Sequence, residues 1–181
     1  MLGQIKNAKQ KRGTVTRPCH VLLPLSPNHG AFGGDGLYAE SKIGLEALLN
    51  KWWSEGWSDY LSIAGVVIGW TRGTGLMNDN NMLAPALEER PYQLRTFAPA
   101  EMAVNITALL HRRMVMLAQH APIWADFGGG FATIDKLKDV TDHIRKSLLH
   151  RARLKKSVAD DREQERADIC LLYTSPSPRD S

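Results

Sequence analysis

Cysteine is scarce: Cys19 and Cys170 are the only two, far apart and without histidines at ligand spacing. That excludes a disulfide framework and a structural zinc site. The usage fits a reducing cytosol, so a cytoplasmic location is expected. Long apolar runs are also missing. None approaches the ~20 residues that cross a bilayer, and the opening MLGQIKNAKQKRG has no apolar centre of a secretory leader. No acidic residue precedes Asp35, so Lys6, Lys9, Lys11, Arg12 and Arg17 stand unopposed and more than account for the net charge of +4. No aromatic residue interleaves those lysines, as stacking on bases requires. A basic patch confined to one terminus reads as a solvated helix end, and neither nucleic acid nor membrane is expected as a partner. What remains, 43% hydrophobic and 23% charged residues, is ordinary for a globular protein with one sizeable core.

Taken in order, residues 2–12 read as a helix with Leu2 and Ile5 on one side and Gly13 as its stop. Nothing caps its start, which suggests that the chain is cut from something longer. Residues 19–25 and 61–68 are continuous apolar runs of the kind buried on both faces of a parallel sheet. Between them, Ile43, Leu45, Leu48, Leu49, Trp52 and Trp53 recur at helical steps over residues 37–53. Strand, helix, strand is a βαβ crossover. Residues 76–91, rich in asparagine, read as a mobile cover over the strand ends. A helix is expected over 99–111, a third strand over 122–127 and an amphipathic helix from 135 to about 154. Residues 151–168, dense in charges of both signs, read as an exposed helix or linker.

The chemistry concentrates in residues 21–42, VLLPLSPNHGAFGGDGLYAESK. A strand ends in Ser26, a glycine-rich loop follows over 27–36, and Tyr38 and Lys42 share one face of the next helix. Asp35 is a candidate N-cap for that helix. The loop spacing G-A-F-G-G-D-G is not a phosphate-loop signature. A phenol, with a reference pKa of about 10, is a weak acid near neutrality. An ammonium ~4 Å away is worth about 4 kcal/mol at an effective dielectric of ~20, enough to make such a phenol a useful proton donor. A hydroxyl at the strand end could hold the same reacting oxygen. Each part has a plainer reading: Y-x-x-x-K occurs on ordinary helix surfaces, and serine after a strand is a common turn former. Their conjunction at the carboxyl end of a strand, where α/β sheets bind ligands, points to a site.

The stretch SPNHGAFGGDGLYAESK, followed by WTRGTGLM and later ADFGGGF, resembles the β-ketoacyl reductase domain of type I fatty acid synthases. The fungal α-subunit is the best fit and fused bacterial synthases are close; these are members of the short-chain dehydrogenase/reductase superfamily. The likeness runs from about residue 3 to about residue 158. It implies an α/β fold, the C-terminal portion of a doubly wound Rossmann-like short-chain dehydrogenase/reductase with the N-terminal dinucleotide half missing. The expected division is 1–158 as a partial ketoreductase domain and 159–169 as a charged linker or helix end. Residues 170–181, CLLYTSPSPRDS, look like the translated reading of a sequencing adapter.

The resemblance further implies NADPH-dependent reduction of 3-ketoacyl-[acyl carrier protein] to the 3-hydroxyacyl product. Tyr38 would be the proton donor. Lys42 would favour the phenolate and hold the nicotinamide ribose hydroxyls, and Ser26 would orient the substrate carbonyl. Cofactor contacts are expected from Tyr38 and Lys42 and from the loop after the second strand. In that loop Thr71 and Thr74 would act through side chains, Gly69 and Trp70 through backbone. No metal is expected. The implied partners are acyl carrier protein and the other domains or subunits of a large oligomeric synthase. A catalytically silent interaction module of such a synthase is the competing reading.

Several positions depart from the family pattern. The glycine-rich dinucleotide turn is absent, so the preference for NADPH over NADH comes from the family alone. Asn7 is a poor substitute for the asparagine that relatives place before the serine strand. Trp53 stands where relatives often carry histidine, residues 90–99 look reshaped, and His29 reads as a loop-shaping residue. The chain by itself is expected to be inactive and prone to associate through an open strand edge.

Overall fold

The computed structural model describes residues 1–13, 16–31, 35–74 and 80–174, the last four of these by backbone alone. Two compact units result, Met1–Lys138 and Asp139–Ser181. The first is built on three parallel strands in the order β1-β2-β3: β1 (Cys19–Leu25), β2 (Leu61–Ile68) and β3 (Ile123–Phe127). Cys19 is paired with Leu61 and Leu25 with Val67; Ala64 is paired with Ile123 and Ile68 with Phe127.

Side chains alternate across a strand, so residues two apart share a face of the sheet. Leu23 and Leu25 of β1 and Leu61, Ile63 and Val67 of β2 form one core cluster with Trp52 and Trp57. Leu2 and Ile5 of α1 (Leu2–Arg12) and Leu45, Leu48 and Leu49 of α2 (Tyr38–Ser54) pack against it. The α1 helix ends where Gly13 takes the left-handed conformation, as its sequence predicts. Trp52 also donates its indole N–H to the Leu61 carbonyl at 2.7 Å, joining the end of α2 to the start of β2. The middle strand β2 is buried along all but its last residue. Among the described residues β1 pairs only with β2, which suits its Pro24, a residue tolerated on edge strands because it lacks the ladder donor.

Three expectations need correction. The described part of the cover expected over 76–91 is not loose: Leu83, Ala84 and Leu87 are buried in and beside the short α3 (Ala84–Glu88), and Leu94, Thr96 and Phe97 beyond it are buried as well. The helix expected over 99–111 stops a little earlier, as α4 (Pro99–Ala108), and is followed by a helix that the sequence reading did not assign, α5 (Arg112–Ala118). The break lies at His111, whose extended backbone lets its ring Nδ1 accept the Arg113 N–H at 3.3 Å and cap α5. The last helix, α6, runs over Leu137–Thr174, well beyond the expected end near 154, and takes in the charged stretch of 159–169. Its described side chains from Leu149 onward are exposed. The remainder of the expected adapter stretch, 175–181, lies outside the described residues, as do 32–34 of the glycine loop and 75–79 after the β2 exit.

Candidate active site

All of the sequence-predicted site residues belong to segments at the carboxyl ends of β1 and β2. Ser26 follows β1 directly and is 5% exposed. Its Oγ accepts the Asn28 backbone N–H at 3.1 Å, an arrangement that leaves the hydroxyl proton to donate elsewhere. Tyr38 opens α2, and its backbone N–H is held by the Asp35 carbonyl at 3.2 Å. The Tyr38 phenol makes no hydrogen bond among the described residues. Asp35 does not cap α2 through its side chain; Leu37 occupies that position with no side-chain bond. The Asp35 carboxylate instead accepts the Asn28 amide at 3.0 Å.

Lys42 lies one helical turn beyond Tyr38. Its Nζ donates to the Pro24 carbonyl at 2.9 Å and stands 5.4 Å from the centre of the Tyr38 ring. The cation therefore sits over the phenol and is anchored to the strand that ends in Ser26. His29 pairs with Glu46 at 2.7 Å, tying the loop to the third turn of α2, in keeping with a loop-shaping role. Asn7 is exposed on α1, and Trp53 is exposed beside Trp52 in an edge-to-face contact.

The β2 exit is closely built. The Gly69 N–H donates to the Phe127 carbonyl at 3.1 Å, and the Trp70 carbonyl accepts the Phe97 N–H at 2.9 Å. A side chain at Gly69 would place its Cβ 2.5 Å from the Phe127 oxygen, which is why the position takes no larger residue without movement. Thr71 Oγ donates to the Gly69 carbonyl at 3.2 Å and Thr74 Oγ to the Thr71 carbonyl at 2.9 Å. The reshaped segment before α4 is fastened across these ends: Arg95 N–H to the Gly129 carbonyl at 2.8 Å, and Arg72 N–H to the Phe97 carbonyl at 2.9 Å.

These side chains keep hydrogen-bonding capacity with which they could hold a cofactor. Each threonine hydroxyl directs its one proton at a backbone carbonyl, so its lone pairs remain to accept a carboxamide N–H. Lys42 uses one of three ammonium protons on Pro24, leaving donors for a ribose diol. Within the first unit a surface groove is lined by His111, Arg112, Arg113 and Met116, none of them a site residue. Among the described residues no cluster of His, Cys, Asp and Glu could hold a metal ion. No helix among them is long and apolar enough to cross a membrane.

No protein-family model matches the chain. It is 51% identical over 159 residues, 88% of its length, to the fatty acid synthase subunit alpha of Schizosaccharomyces pombe. The subunit alpha of Saccharomyces cerevisiae is 47% identical over the same share, and that of Lachancea kluyveri is 47% identical over 99% of the chain. Its homologues are alpha subunits of fungal fatty acid synthases. The matched stretch is only 8% of the length of the first two and 10% of the third, so the chain corresponds to a short segment of such a subunit. Of the residues brought together near Ser26 and Tyr38, Asn28 escaped the sequence reading. Its signal, an amide two residues after the strand-end serine and ahead of a lone acid, was available but mute without geometry.

Proposed function

We propose that this segment carries out ketoreduction within a cytoplasmic fatty acid synthase, converting 3-ketoacyl-[acyl carrier protein] to the 3-hydroxyacyl product. The observation that carries the reading is the placement of Lys42, over the Tyr38 ring and bonded to the strand end that presents Ser26. The homology to synthase alpha subunits supports the pathway. NADPH, when bound, supplies hydride to the substrate C3. Ser26 donates a hydrogen bond to the ketone oxygen and orients it. Tyr38 gives its phenolic proton to that oxygen as charge develops there. The Lys42 ammonium stabilises the phenolate left behind and donates to the ribose hydroxyls. Thr71 and Thr74 accept from the carboxamide. Gly69 and Trp70 shape the loop through their backbone.

The test uses a chimeric synthase: the corresponding stretch of the Saccharomyces cerevisiae subunit alpha is replaced by this chain's residues. NADPH oxidation is followed with a 3-ketoacyl substrate. Tyr38→Phe is expected to reduce turnover by about 100-fold or more, the scale of a lost general acid. Undiminished turnover would remove the proposed proton donor. A chimera that assembles but reduces no ketone before any substitution would favour a silent scaffold.

A further inference from the structure

Ser26 and Tyr38 stand on either side of a segment that holds four glycines. The structure supplies another route between them. The Asn28 backbone N–H fixes Ser26 Oγ at 3.1 Å, and the same residue's amide donates to the Asp35 carboxylate at 3.0 Å. The Asp35 carbonyl in turn accepts the Tyr38 N–H at 3.2 Å. A continuous path of hydrogen bonds thus joins the serine hydroxyl to the first turn of α2 and bypasses the loop. Its side-chain link has a carboxylate as acceptor, and hydrogen bonds to an ionised acceptor are in general stronger than neutral ones.

We propose that Asn28 and Asp35 form a positioning pair for the ketoreduction, setting the distance between the Ser26 hydroxyl and the Tyr38 phenol. This rests on the reaction proposed above. Neither residue touches the reacting atoms. Asn28 acts through Ser26 and Asp35 acts through Tyr38. Small displacements of a positioned donor cost rate steeply, with about 1 Å worth on the order of 100-fold. Thr71 and Thr74 are held instead through the Gly69 and Thr71 carbonyls, so loss of the pair is expected to fall on turnover more than on cofactor affinity.

The experiment is a double-mutant cycle in the same chimeric synthase. Asn28→Ala and Asp35→Ala are each expected to lower kcat by about 10- to 100-fold, with KM for NADPH changed less than about twofold. The double variant should be no worse than the poorer single one, because both remove one link. The reciprocal exchange, Asn28→Asp with Asp35→Asn, restores donor and acceptor and should recover most of the lost kcat. An unchanged kcat in Asn28→Ala, additive losses in the double variant, or an exchange worse than either single substitution would each overturn the pairing. Tyr38→Phe is run alongside. Intact turnover there sinks the ketoreduction reading itself, whereas a dead Tyr38→Phe with an unaffected Asn28→Ala sinks only the positioning pair.

Discussion

The Lys42 ammonium rests 5.4 Å from the centre of the Tyr38 ring while hydrogen-bonded at 2.9 Å to the carbonyl of Pro24. One cation thereby joins the helix that carries the phenol to the strand that ends in the serine. Charge and anchorage are separable. Lys42→Met keeps the length and apolar stem but removes both, and kcat for ketoreduction should fall about 100-fold or more, with KM for NADPH rising. Lys42→Arg retains the charge in a planar fork that cannot reproduce a point donor, so it should restore only part of the rate. Steady-state kinetics of the chimeric synthase distinguish the cases, and a Met variant with normal kcat would dissociate Lys42 from the chemistry.

Two glycines at the strand exits carry a backbone constraint. A Cβ at Gly69 meets the Phe127 carbonyl oxygen at 2.5 Å, and one at Gly129, where φ is +67°, meets the Arg95 oxygen at 2.2 Å. Neither obstacle is the end of a flexible side chain. Gly69→Ala is expected to destabilise the unit by about 1–3 kcal/mol through forced backbone shifts. Gly129→Ala should cost at least as much, because strain at positive φ adds to the clash. Hydrogen exchange of the β2 and β3 amides in the chimera reads both, and protection equal to the parent would show that the exits are looser than drawn.

The strands were the most legible part of the chain. The β1 and β2 runs are continuous and apolar, flanked by Pro18 before the first and Gly69 after the second, and their observed bounds coincide with the expected ones. The Tyr38 and Lys42 pairing was legible as well, since helical spacing alone places them together. The contact from Lys42 to Pro24 was not, because it depends on how α2 leans on β1. The burial within residues 83–97 was hidden because two prolines and a charged run at 88–90 break any helical or strand period among the apolar residues. The segment folds back on itself through the Leu94 to Leu87 backbone bond and is tied to the β2 exit by the long-range bond from Phe97 to Trp70, which no local pattern encodes. The break before α5 was hidden because histidine is not a usual capping residue.

Trp52 offers a test of the core behind the site. Its indole N–H reaches the Leu61 carbonyl at 2.7 Å, and Leu61 is fully buried at the start of β2. Trp52→Phe removes the donor and part of the ring, leaving a buried acceptor short of its partner. The expected cost is about 1–3 kcal/mol, read as faster exchange of the β2 amides. An unperturbed exchange pattern would mean that water or a repacked neighbour replaces the indole.

At the opposite end of the sheet, His20 is paired with Ser62 in the β1–β2 register, its Nδ1 2.9 Å from the serine oxygen. Its Nε2 is buried and has no hydrogen-bond partner among the described residues. Burial lowers the imidazole pKa below its ordinary 6.5 by disfavouring the charged form, with the backbone of Leu109 opposing in part. Below about pH 6.5 the unfolded chain therefore binds a proton at this residue that the folded chain resists. Stability should fall as pH drops from about 6.5 toward the lowered value, and the His20 contribution should be flat above that window. His20→Gln retains a polar partner for Ser62 but cannot titrate, so its stability should change less between pH 7.5 and pH 5.5 than the parent's. Hydrogen exchange of the β1 amides, corrected for intrinsic rates, measures the difference. Equal pH dependence in the two proteins would show that other groups govern the acid sensitivity of this sheet.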